Sequence, residues 1–145
     1  MITKNAQLCM DELAEHDLKY RLYDEDADGS TVLELLFSGT NGGPFIRMLL
    51  VFDAMDTTIS LRCSTYTTFP PDVTDDVIAF CDENNHRYRF GKFYVDPEDN
   101  EVMMEVDSFV DSSDVTDVMH QCIGLAHDVL SETYPQLMRI IWARK

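Results

Sequence analysis

The sequence predicts an α+β fold in which helices pack on a twisted antiparallel sheet, in the order α-β-β-β-β-α-β-β-α. Apolar residues recur at helical spacing in three separate stretches, near residues 4–15, 73–81 and 115–130, and the runs between them are strand-like. Those strand-like runs follow one another directly instead of alternating singly with helices, which points away from a parallel βαβ sheet. The 145 residues are enough for a core of their own, and no repeat, low-complexity segment or linker divides them, so a single domain, 1–145, is expected.

Each element follows from its residues. Ala6, Cys9, Met10, Leu13 and Ala14 make one helical stripe within residues 4–15, with Asp11, Glu12 and Glu15 off it. Lys19 to Tyr23 and Thr31 to Gly39 are strand-like, and Thr40-Asn41-Gly42-Gly43-Pro44 is strong turn chemistry. Phe45 to Phe52 is apolar on both alternating faces, so this strand is expected to be covered on both sides. Ala54 to Thr57 turn the chain into Ile59, Leu61 and Cys63, which alternate with Ser60, Arg62 and Ser64 as a half-buried strand does.

Phe69-Pro70-Pro71 ends that run, and Asp72 to Asp76 supply cap candidates and the acidic first turn of a second helix. Its stripe is Val73, Val77, Phe80 and Cys81, and Asn84-Asn85 are expected to stop it, because asparagine tolerates the left-handed conformation of a helix end. Phe90 to Val95 and Glu101 to Asp107 are two more strands, joined by the acidic turn Asp96 to Asn100; Val102, Met104 and Val106 share one face of the second. Ser112-Ser113-Asp114 then cap a long helix carrying Val115, Val118, Met119, Cys122, Leu125, Ala126, Val129 and Leu130. That helix is expected to break at Tyr134, before Pro135, and a short last helix, Pro135 to Ala143, to follow, with Arg144 and Lys145 at its negative end.

Composition narrows the function. Eleven basic residues against 27 acidic ones give a formal charge of −16, which repels nucleic acid and anionic lipid and favours a basic or apolar partner. The chain has no apolar run long enough for a membrane span and no signal-peptide layout at its start, so a cytoplasmic location is expected. Cys9, Cys63, Cys81 and Cys122 are widely spaced on apolar faces, as buried free thiols are, and nothing in their spacing suggests zinc.

Three patterns resemble chemistry and are better read as structure. Asp24-Glu25-Asp26-Ala27-Asp28-Gly29 begins like a calcium-binding loop, but its twelfth position is Leu35 instead of a glutamate, and its flanks are strand-like instead of helical. It reads as a hairpin tip. The other aspartate clusters, around Asp72, Asp96 and Asp114, lie in turns and helix starts where aspartate has a structural reason to be. His86-Arg87-Tyr88-Arg89-Phe90-Gly91-Lys92-Phe93-Tyr94 interleaves basic and aromatic residues as RNA-binding strands do, yet its register does not match and the net charge opposes it. It is read as an alternating strand pairing with neighbouring carboxylates, and no nucleic-acid binding is expected.

The histidines offer no pairing along the chain. His120 and Cys122 point to nearly opposite sides of a helix, and His120 and His127 share a side but stand about 10 Å apart. His16 and His86 sit near element ends, as surface histidines do. The expected catalytic, cofactor-binding and metal-binding residues are therefore none, and the expected cofactors none.

The run VIAFCDENNHRYRFGKFYVDPEDNEVMMEVD, preceded by LVFDAMDTTISLRC and followed by the long final helix, resembles the YbjN family of small bacterial proteins. The points of likeness are a helix ending near Asn84 or Asn85, a strand with Gly91-Lys92-Phe93, the acidic turn Asp96 to Asn100, and the strand after it. The resemblance implies the fold of the type III secretion chaperones, often homodimeric, in a family labelled as sensory-transduction regulators with no catalytic motif to carry over. The expected function is a non-enzymatic protein-binding or regulatory role, as a homodimer with a possible protein or peptide partner. The alternative is a small-ligand-binding protein or enzyme using His120, His127 or the acidic turns in a pocket.

Overall fold

The computed structural model describes residues 2–25, 28–39 and 43–142, with residues 24, 25, 64 and 65 described by their backbone alone. Its elements are α1 (Lys4–Glu15), β1 (Arg21–Glu25), β2 (Thr31–Ser38), β3 (Phe45–Phe52), β4 (Thr58–Thr68), a short 3-10 turn (Pro71–Val73), α2 (Thr74–Arg87), β5 (Lys92–Asp96), β6 (Glu101–Phe109) and α3 (Val115–Trp142). This is the expected α+β order. All neighbouring strands are antiparallel in one six-stranded sheet ordered β1-β2-β3-β4-β6-β5. The segment carrying α2 leads to the far edge, and β6 then returns into the gap beside β4.

One face of the sheet holds the core. Leu33 and Leu35 of β2, Ile46, Met48, Leu50 and Phe52 of β3, Ile59, Leu61 and Cys63 of β4, and Val102, Met104 and Val106 of β6 are all buried there. Three helices cover them. α3 lies centrally and contributes Val115, Met119, Ala126, Leu130 and Leu137, while α1 presents Ala6, Cys9 and Leu13 beside it and α2 presents Val77, Phe80 and Cys81 over β5. The four cysteines are free and buried, as their placement on apolar stripes predicted. Tyr66 fastens sheet to helix: its hydroxyl donates to the Leu130 carbonyl at 2.6 Å and lies 3.1 Å from Thr133 Oγ1.

Local chemistry sets the helix starts. Thr3 caps α1 by accepting from the Ala6 N–H, and Asn5 ties the same turn to the β3–β4 turn through two bonds with Asp56. Asp114 opens α3 through its carbonyl, which accepts from Val118 N–H; its side chain accepts instead from Asp111 N–H.

Four expectations need correction. α3 does not break at Pro135 but runs unbroken to Trp142. Proline removes one hydrogen bond, to the Ser131 carbonyl, but Leu137 and Ile141 are buried in the core beyond it, and Gln136 bonds across to Glu83 and Asn84. Packing on both sides of the proline outweighs the lost bond. Asn84 and Asn85 do not stop α2, which continues to Arg87; the Asn84 amide donates to the Phe80 carbonyl and to Gln136, and the Asn85 amide reaches β5, as described below. The run from His86 is no single strand, because His86 and Arg87 finish α2 and β5 begins only at Lys92, after Gly91 at φ +87°. Finally, among the described residues nothing covers the second face of β3, where Arg47, Leu49 and Val51 are half-buried and Phe45 is exposed. The turn at Thr40–Gly42, Asp26 and Ala27 of the acidic tip, and Arg144 and Lys145 lie outside the described residues.

Candidate functional site

The uncovered sheet face is the feature most in need of a function. Register places Glu34 and Leu36 of β2, Arg47, Leu49 and Val51 of β3, Thr58, Ser60 and Arg62 of β4, Met103, Glu105, Asp107 and Phe109 of β6, and Tyr94 of β5 on it together. Leu36 is 53% exposed and Phe109 86%, toward opposite corners of the face. Between them the charges are matched: Glu34 holds Arg21 at 3.1 Å and Arg47 at 2.6 Å, Arg62 meets Glu105 at 3.0 Å, and Ser60 bonds to Asp107. Both Arg47 and Arg21 stack on the Tyr23 ring, with centroid distances of 4.9 and 5.5 Å. In a chain of formal charge −16, each of these three arginines is paired with a carboxylate, while register adds Asp96 and Glu101 at the β5–β6 end of the same face. Such a surface can meet another protein without the repulsion the rest of the molecule imposes.

The two sheet edges are handled differently. On β5, Asn85 of α2 closes the outer edge: its Nδ2 donates to the Phe93 carbonyl at 2.9 Å and its Oδ1 accepts from Phe93 N–H at 2.6 Å. A side-chain amide thereby replaces a neighbouring strand. Lys92 reaches the carbonyls of Asn85 and Tyr88, neutralising the helix end. At the opposite edge β1 is short and kinked by an irregularity between Leu22 and Asp24, a common device against edge pairing.

A cleft of about 360 Å³ opens beside α3, lined by Phe90, Val106, Val118, Gln121, Cys122 and Leu125 among others. Its thiol is not poised for chemistry: burial pushes Cys122 up from its ordinary value, with Asp107 adding to the effect, whereas a nucleophilic cysteine needs the thiolate. Burial likewise pushes Cys9 and Cys63 up to about 12 and Cys81 up to about 11.

The acidic clusters resolve into turns. Asp28 accepts from both the N–H and the hydroxyl of Ser30, Asp53 from Thr57 and Thr58, Asp111 from Ser113, and Asp96 from Glu98 N–H. The stretch around Asp28 joins two paired strands, without the helices of a calcium-binding loop. In the basic aromatic run, Arg87 pairs with Glu132 at 2.5 Å and His86 lies 3.8 Å from Asp82.

The histidines are where the sequence reading missed most. His127 sits at the end of β2, its Nε2 donating to the Ser38 carbonyl at 2.9 Å. His120 turns away from Cys122, as expected, but α1 packs on α3 so that His120 meets Glu12 and His16. Nε2 of His120 lies 2.7 Å, and Nε2 of His16 3.0 Å, from the same Glu12 oxygen, Oε2. The two rings meet edge to face at 5.1 Å. The i,i+4 spacing of Glu12 and His16 was visible in the sequence; the third member, 104 residues later, was not.

Comparison with known proteins agrees with the fold. The profile of the YbjN family, described as "Putative bacterial sensory transduction regulator", matches residues 11–139. Among solved structures, YbjN from E. coli, described as "a putative transcription regulator", gives a TM-score of 0.58 at 14% identity, over 88% of this chain and 90% of that one. The ExsC–ExsE complex gives 0.53 at 14% identity, over 93% and 91%. These likenesses support the α+β, type III secretion chaperone-like fold that the resemblance implied. No curated protein sequence matches the chain.

Proposed function

The chain belongs to the YbjN family, and we propose that it is a non-enzymatic protein-binding or regulatory protein whose docking surface is the open sheet face. The observation that carries this reading is the face itself: apolar Leu36, Leu49, Val51, Met103 and Phe109 set among matched charges, with no described element over them. Exposed apolar surface rimmed by polar groups is the ordinary mark of a protein-binding site. The similarity to a structure solved as a complex, ExsC with ExsE, supports a protein as the thing bound. Four buried free thiols fit a reducing, cytoplasmic setting. In the described residues no helix is long and apolar enough to cross a membrane.

When no other partner is present, a second copy covers the face, giving the homodimer. Light scattering of the purified chain at micromolar concentration tests this: the expected mass is twice 16.7 kDa, reduced to 16.7 kDa by the pair Leu36→Asp and Phe109→Asp. A wild-type monomer would remove the dimer from the proposal. The apolar cleft beside Phe90 favours one other reading, a small-ligand site, since its volume falls within the range of ligand pockets. A rise in melting temperature with a small apolar ligand, lost in Leu125→Glu, would select that reading.

A further inference from the structure

We propose that Glu12, His16 and His120 form a site for one divalent transition-metal ion, zinc foremost, that clamps the end of α1 to α3. Their three donor atoms lie within 4.8 Å of one another. Both imidazole Nε2 atoms converge on a single oxygen of Glu12, at 2.7 and 3.0 Å, instead of taking one carboxylate oxygen each. A tetrahedral ion with ligand bonds of about 2.0–2.1 Å has ligand-to-ligand edges of about 3.3 Å. The two nitrogen-to-oxygen separations are already near that edge, and an ion enters by moving the His16 ring, which is the most exposed of the three and stands just past the end of α1.

Donor type selects the metal class. Two imidazoles and one carboxylate suit zinc and its neighbours, whereas calcium and magnesium require oxygen ligands throughout. In the structure the carboxylate only accepts, so each Nε2 carries a proton toward it; with metal bound those protons sit on Nδ1 and the ring nitrogens become ligands. All three side chains are partly exposed, which leaves a fourth position for water. The site joins a helix at the start of the chain to the central helix of the core, so its occupancy fixes α1 in place. It lies on the helical side of the molecule and does not depend on the function proposed for the open sheet face.

The test uses the full chain without an affinity tag, stripped with chelator. Zinc is titrated by calorimetry, and cobalt by its visible absorbance, into wild type, His16→Gln, His120→Gln, Glu12→Gln and the surface control Asp75→Asn, with circular dichroism confirming that each is folded. The expected result is one ion per chain in wild type and control, and affinity weakened on the order of tenfold or more in each of the other three. The exposed His16 keeps the test open even where the more enclosed Glu12→Gln disturbs packing. No saturable binding by the wild type up to about 1 mM zinc would overturn the proposal. So would unchanged affinity in His16→Gln and His120→Gln, which would place the metal on the acidic surface.

Discussion

Asn85 makes two hydrogen bonds to the backbone of Phe93, and in doing so it does for β5 what a seventh strand would do. Each such bond contributes about 1 kcal/mol net. Asn85→Ala is therefore expected to lower the stability of the chain by about 2 kcal/mol in urea unfolding, and Asn85→Asp, which sets a carboxylate oxygen against the Phe93 carbonyl, by at least as much. The same paired asparagines read as a helix stop in the sequence, because propensity records what asparagine does with its own backbone and not what its amide reaches eight residues on. The thiols give a second residue-scale prediction. With Cys63 and Cys9 held up to about 12 and Cys81 up to about 11, the native protein is expected to react only slowly with a disulfide reagent at neutral pH, and unfolded protein to react at all four. A thiol raised in the fold above its unfolded value of about 8.5 favours the folded state below that pH. That contribution is lost as pH rises, so the urea midpoint should fall between about pH 9 and 11. Glu12 works in the opposite direction. The His120 hydrogen bond, opposed by desolvation and aided by His16, holds its carboxyl below the usual range. Its contribution is present above the unfolded value of about 4.3 and disappears as pH falls through the lowered one. Glu12→Gln should flatten that acid limb of the stability profile.

At the scale of elements, α3 carries the clearest disagreement between local signal and structure. Apolar spacing before Tyr134 and the proline after it together imply two helices, but Leu137 and Ile141 continue the buried stripe in phase. Leu137→Ala is expected to cost about 2–5 kcal/mol, in the manner of a buried leucine removed from a core, as read by thermal or urea unfolding. A cost near zero would mean that the helix beyond Pro135 is a loosely attached tail. The other elements were legible because their period was unambiguous: the Ile59, Leu61, Cys63 alternation and the Val77, Phe80, Cys81 stripe are the buried faces observed. Strand β5 was misplaced by two residues at its start because Arg89 and Phe90 have strand-like character, and only Gly91 in a left-handed conformation ends the bend.

For the whole molecule, the order of elements could be read from the sequence, but the order of strands within the sheet could not. The insertion of β6 between β4 and β5 depends on long-range pairing that no local pattern encodes. The same holds for the meeting of His16 with His120, which is set by the packing of α1 on α3. One whole-molecule signal was present in the sequence. The strand Phe45 to Phe52 is apolar on both faces, and within the described residues only one of them is covered. The second face lies in the middle of a surface whose arginines are each paired with a carboxylate, while the chain as a whole is strongly acidic. Both properties are what the proposed docking surface requires. The most direct measurement is capture from the native cells with the tagged wild-type chain and with its Leu36→Asp, Phe109→Asp variant, followed by quantitative mass spectrometry. One protein is expected in near-stoichiometric amount on the wild type and absent from the variant, with both baits equally folded. Enrichment of the same protein by both, or of no protein by the wild type, would contradict the proposed docking surface.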